Sequence, residues 1–181
     1  MDMISDTKPQ NLIVVITIIA GIIGATTLYS SASYYGGSYV LVQRLNVELT
    51  EIRLGHFDPS NESIDPSISA YFRFEAPETI GGKTRIYSLT VSIYLNGESF
   101  DYASFRRIIP LEDRLVTSGY NKTFSVGDTI DSEIDKQIIF DAYAAEEWTF
   151  SVTLRLFYIV FESPAQSVRI LTFSHSGYVV A

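Results

Sequence analysis

The chain has 181 residues, a formal net charge of −8 and no cysteine. The missing thiols exclude disulfides, thiolate catalysis and zinc–thiolate sites. From Arg44 onward 12 basic residues stand against 19 acidic ones. That balance repels a nucleic-acid backbone and gains nothing from anionic headgroups, so no nucleic-acid partner is expected.

The first eleven residues, MDMISDTKPQN, are polar. They are followed by Leu12 to Tyr29, LIVVITIIAGIIGATTLY, inside a stretch with no Asp, Glu, Lys or Arg between Lys8 and Arg44. As a helix this run is roughly 27 Å long, close to the hydrocarbon thickness of a bilayer. Two readings remain open: a retained transmembrane anchor, or a signal peptide cut near Ser30-Ser31-Ala32. The anchor is preferred, because the N-terminal flank has one Lys against two Asp and the apolar core exceeds a usual signal core. Either way the C-terminal part is expected at or across a membrane. Tyr29, Tyr34, Tyr35 and Tyr39 cluster at the end of the run and suit an interfacial aromatic belt. The expected layout is a polar N-terminus (1–11), an anchor with its tyrosines (12–35), a linker (36–41) and one β-sandwich domain (42–181).

Ala20 and Gly24, and Gly21 and Ala25, are small residues four apart, a spacing that lets a second helix approach closely. Lys8 gives a weak positive-inside vote for a cytoplasmic N-terminus. An extracytoplasmic domain agrees with two glycosylation triplets, at Asn61 and Asn121. The expected location is therefore the cell membrane, single-pass, with the C-terminal domain outside.

Beyond the linker, alternation of period two dominates, as in half-buried strands. Leu45, Val47 and Leu49 share one face, the phase slips at Thr50-Glu51 as a bulge requires, and Ile52 and Leu54 resume it. Gly55 to Ser67 is turn-rich, with two Asp-Pro pairs, and predicts a loop. Ile68, Ala70, Phe72 and Phe74 form the next face. Tyr87, Leu89, Val91, Ile93 and Leu95 follow, ending at Asn96-Gly97, the dipeptide of a type I′ hairpin. A return strand through Phe100 and Tyr102 is expected. Tyr120 to Val126 predicts another strand.

Between Asp131 and Glu147, the stripe of Ile134, Ile138 and Ala142, widened by Ile139, predicts an amphipathic helix with acidic residues at its start. The strand from Trp148 to Val160 follows, apolar on both faces at its far end and so expected inside a sheet. Ser163-Pro164 turns the chain, and Val168 to Phe173 closes it. Short strands with one helix predict a mainly β fold, an immunoglobulin-like antiparallel sandwich.

The hairpin RIYSLTVSIYLNGESF, the short helix and the strand WTFSVTLRLFYIVF together resemble the late-embryogenesis-abundant type 2 domain, also called the water-stress/hypersensitive-response domain, over roughly Val42 to Ala181. Ala76-Pro77-Glu78 departs from the Asn-Pro-Asn often found after the second strand of that family. The resemblance implies an immunoglobulin-like sandwich, accords with a single-pass anchor and supplies no catalytic residues.

Candidate chemistry is sparse. His56 has Asp58 nearby, but one His and one carboxylate do not make a metal centre. His175 lies between Ser174 and Ser176, and sequence adjacency does not make a Ser–His dyad. Asp128, Asp131, Glu133, Asp135, Asp141, Glu146 and Glu147 outnumber Lys136 but lack the pattern of a calcium loop. They form a solvated acidic face or a docking patch for a basic partner. No catalytic, metal or cofactor site is expected. The expected function is binding or accessory, with the bilayer and other proteins or a second copy as partners. The alternatives are a surface filament built by strand addition from Ser30 to Leu41, or lipid handling in an apolar cavity.

Overall fold

A computed structural model describes residues 7–161, 163 and 165–180; the first six residues, and Pro164 of the expected Ser163-Pro164 turn, lie outside the described residues. The apolar run forms a helix, and a longer one than its composition predicts. α1 spans Thr7–Arg44 without a break and is long and apolar enough to cross a membrane. Its threonine hydroxyls do not disturb it: Thr17 donates to the Ile13 carbonyl at 2.9 Å and Thr27 to that of Ile23 at 2.8 Å. The linker expected at residues 36–41 is corrected, because these residues are helical, and Ser30 to Leu41, the donor candidate of the filament alternative, is helical as well. Gly36 and Gly37 each cost a helix about 1 kcal/mol relative to Ala. Packing outweighs that cost. Leu41, Val42 and Leu45 are buried, and each such side chain contributes roughly 2 kcal/mol.

Two sheets follow, sharing one core. The first has the order β10-β1-β2-β7, built from β1 (Asn46–Gly55), β2 (Ser67–Glu75), β7 (Asn121–Thr129) and the short β10 (Val179–Val180). The second has β3 (Thr84–Leu95), β8 (Thr149–Val160) and β9 (Ser167–Ser176) in sequence across the sheet, with β4 (Glu98–Ser99), β5 (Arg106–Ile108) and β6 (Leu115–Val116) sharing the other edge of β3. All pairs are antiparallel except β1 with β10. Ile52, Phe72, Phe74, Leu89, Ile93, Phe150 and Leu154 are almost fully buried. Phe72 of one sheet meets Phe173 of the other with ring centroids 5.7 Å apart. The mainly β reading holds, and β8 lies inside its sheet as expected.

Local details follow the sequence in part. The bulge falls where the phase slips, between Leu49 and Glu51. Asn96 and Gly97 both have positive φ, 52° and 91°, as a type I′ turn needs. A second bulge between Ile86 and Ser88 was not legible in the alternation. It puts Ile86 in the core and leaves Tyr87 beneath the Arg114 guanidinium, 4.8 Å from its ring centroid. The return strand is only Glu98–Ser99: Phe100 is buried, but Tyr102 is exposed.

α2 (Glu133–Ala145) is the expected helix, and Ile138, Ile139 and Ala142 of the expected stripe pack on the core while its first member does not. Ile139 and Ala142 are buried, whereas Ile134 is 64% exposed. Asp135 takes the inward position instead.

Candidate functional site

The two ends of the sandwich differ, and each carries a built feature. At the near pole, α1 enters the domain. Gly37 and Ser38 are buried, and a Cβ at Gly37 would strike the backbone of Gly81 and approach the Gly82 nitrogen to 3.1 Å. Gly82 has a φ of 87° and would itself strike α1 if it carried a side chain. Gly37 on the helix and Gly81-Gly82 on the loop thus let the two meet backbone to backbone. The Lys83 N–H donates to Ser38 Oγ at 2.9 Å, sealing the contact. Arg169 of β9 donates from Nη1 to the carbonyls of Val42 (3.2 Å) and Leu45 (2.9 Å), and so satisfies groups left open at the helix end. Tyr34 and Tyr35 pack on Phe161, which follows β8, with centroid distances of 6.4 and 5.1 Å. Lys83 Nζ lies 5.7 Å from the Tyr34 ring centroid. The joint between helix and domain is a packed one.

At the far pole, α2 lies beside the β3–β4 hairpin. Asp135 is 1% exposed and receives the backbone N–H groups of Asp101 (3.3 Å), Tyr102 (3.0 Å) and Ala103 (3.1 Å). Asp128 receives that of Ser104 at 2.7 Å. These carboxylates hold the chain that leaves β4 and explain why the return strand stops. Lys136 bridges Asp65 at 2.6 Å and Glu133 at 2.7 Å. The hydrogen bond to Asp65 and then that to Glu133 raise its pKa above the ordinary lysine value. Asn96 ties the hairpin tip to the α2–β8 corner, donating to the Glu147 carbonyl (2.7 Å) and accepting from the Thr149 N–H (2.9 Å).

Between these braced walls is an open groove of about 660 Å³. It is lined by Leu95, Ile134, Ile138 and Ala142, and by the acidic residues Glu98 and Asp141. Residues 56–66, 96–104 and 128–147, which build this pole, contain one Lys and no Arg. That lysine is Lys136, already paired twice. An apolar groove beside Glu98 and Asp141, for which no ion pair is seen among the described residues, suits a cationic, partly apolar segment.

The residues singled out by sequence do not assemble into a reaction centre. His56 has a φ of 53° and is exposed. Asp58 turns to Ser60, accepting from its Oγ at 2.6 Å and its N–H at 2.9 Å; these bonds, the hydroxyl's first, hold its pKa below the ordinary value. No group of three metal-ligating side chains occurs among the described residues. His175 is opposite Phe150 on β8, with Ser174 and Ser176 exposed on the other face of β9. Asn61 is exposed in the β1–β2 loop, and Asn121 is exposed at the first position of β7. Gly21 and Gly24, expected with Ala20 and Ala25 to form a helix-pairing face, lie where α1 is exposed all round. Beneath the joint, the space between Val42, Leu45, Ile86 and Leu156 is about 10 Å³, room for one water and not for an acyl chain.

The near-pole joint was missed by sequence reading. Its signal was Gly37, beside Gly36, together with the Gly81-Gly82 dipeptide. Each alone suggests only a turn or linker.

No family model matches the chain, and no curated protein matches it. Among solved structures it is similar to a protein from Archaeoglobus fulgidus, at 14% identity, covering 75% of this chain and 98% of that one with a TM-score of 0.44. It is also similar to a protein from Bordetella pertussis assigned as ApaA, at 12% identity, covering 73% and 92% with a TM-score of 0.44.

Proposed function

We propose that this chain is a single-pass membrane protein whose β-domain acts outside the cytoplasm, without catalysis, as a binding or accessory subunit. Its sandwich is read as immunoglobulin-like, in keeping with the resemblance to the late-embryogenesis-abundant type 2 domain. The observation that carries the proposal is the unbroken passage of α1 from its apolar run into the domain core. A helix joined in this way holds the sandwich at a set height and turns the α2 groove away from the bilayer. The partner docks in that groove, through apolar contact with Ile134 and Ile138 and through charge with Glu98 and Asp141.

A photo-crosslinking amino acid at position 134 of the full-length protein, in membranes, is expected to capture a discrete partner, with less captured as salt rises. The same label at Ile170, exposed on the outer face of β9, is the comparison. Equal capture at both positions would refute the groove as the docking site. Protease added to intact cells is expected to cut the β-domain, and full protection until permeabilisation would overturn the outward orientation.

A further inference from the structure

The loop between β2 and β3 meets α1 close to the end of the apolar run. A Cβ at Gly81 would come within 3.3 Å of the Ser33 carbonyl oxygen, which sets the level of the loop along the helix. The neighbouring Ile80 is 75% exposed and shares a groove with Tyr29, Ala32 and Ser33.

Because α1 is continuous, it serves as a ruler. Ser33 is about 6 Å beyond Tyr29 along the helix axis. A hydrocarbon core of about 30 Å measured from Leu12 ends near Ser31, and a headgroup layer adds roughly 5–7 Å on each side. The Ile80 loop therefore stands at the boundary between acyl chains and headgroups. On another side of the helix, Phe161 is 43% exposed, sits in a turn with a φ of 59° and packs on Tyr34 and Tyr35. Two apolar tips thus flank α1 near one height, beside the exposed rings of Tyr29 and Tyr35.

We propose that Ile80 and Phe161 form a second membrane contact, dipping into the headgroup layer beside α1 and setting the tilt of the domain. The occupant of this surface is lipid, because at that depth an exposed side chain next to a spanning helix is surrounded by lipid. The inference rests on the reading of α1 as membrane-spanning.

The absence of cysteine makes single-cysteine labelling clean. Full-length protein with Ile19→Cys, Ile80→Cys or Ile134→Cys, all at exposed positions, carries an environment-sensitive fluorophore. Each variant is reconstituted into phosphatidylcholine vesicles containing lipid with a nitroxide either near the headgroup or near the acyl terminus. The label at position 80 is expected to be quenched several-fold more by the shallow nitroxide than the label at 134, which aqueous iodide should quench instead. The label at 19 should respond to the deep nitroxide. If 19 responds so but 80 is quenched by iodide as strongly as 134, the second contact is overturned and the anchor stands. A label at 80 shielded from both quenchers would show protein covering the loop, which also overturns it. No lipid quenching at 19 would overturn the spanning reading itself, and this inference with it.

Discussion

The two poles of the sandwich organise their backbones by opposite means. At the near pole, side chains are absent where they would obstruct: glycine meets glycine, and one serine hydroxyl and one arginine close the remaining polar groups. At the far pole, side chains supply what the backbone lacks, with Asp135 and Asp128 accepting four consecutive N–H groups of the chain that leaves β4. The consequence is a difference in what is left over. The near joint uses its polar groups internally, as a mechanical connection should. The far pole keeps an exposed isoleucine and a surplus of carboxylates, the features on which the proposed docking rests.

Removing the far-pole brace should have the largest effect. Asp135→Ala removes the buried carboxylate that accepts three backbone N–H groups, and with hydrogen bonds to a charged group worth roughly 1.5–3 kcal/mol each it should cost about 3 kcal/mol or more. Thermal unfolding would show a Tm lower by about 10 °C. Hydrogen exchange should quicken at residues 100–104 while residues 37–45 stay protected. Equal loosening at both poles would break the comparison.

Gly37→Val attacks the near joint. Overpacking against Gly81 and Gly82 should cost about 1–3 kcal/mol. Faster exchange and easier proteolysis between Ser33 and Arg44 would report it, with the far groove unchanged.

Alkaline titration samples both poles in one experiment, because Tyr120 adjoins the start of β7, which pairs with Glu75 at the α1 end of the first sheet. Burial, and then the Asp113 charge, raise the pKa of Tyr120 above the ordinary value of 10.0, while its hydroxyl donates to the Asp113 carbonyl at 2.8 Å. Lys136 is raised above 10.5 by Asp65 and Glu133. In each case the folded chain holds its proton more tightly than the unfolded one. The contribution is therefore complete below about pH 10 and is lost as pH rises through the native values. Urea midpoints should fall in that window. Lys136→Met should remove the far-pole share of the slope and Tyr120→Phe the near-pole share. A slope unchanged in both variants would count against these linkages.

Ile134→Ser should have the smallest effect on stability, within about 0.5 kcal/mol, as expected at an exposed position. Partner capture from a crosslinker at position 137 or 141 should nevertheless drop. Retained capture would separate the groove from docking.

Much of the fold was legible because strands with one buried face write their period into the sequence. The faces of β2 and β8, the bulge at Thr50-Glu51 and the turn at Asn96-Gly97 all follow from local chemistry. The failures share a cause. Ile134 belonged by periodicity to the buried stripe, but Asp135 occupies the inward position because it serves backbone groups of a loop some thirty residues away. Tyr87 belonged by alternation to the core, and a bulge shifted the phase. β10 pairs with β1 across nearly the whole length of the β-domain, and its two residues carry no period to read.

The sequence by itself determined a helix apolar enough to cross a membrane, a cysteine-free acidic domain and the alternation that makes it mainly β. These depend on composition and on neighbours along the chain. Only the tertiary structure decided that Gly36 to Leu41 is helix and not linker, that Asp135 and not Ile134 faces inward at the start of α2, and that the surplus charge gathers at one pole. Each of these rests on groups far apart in sequence: Gly37 on Gly82, Asp135 on Tyr102, Lys136 on Asp65. A local propensity of about 1 kcal/mol gives way to such contacts whenever burial is at stake.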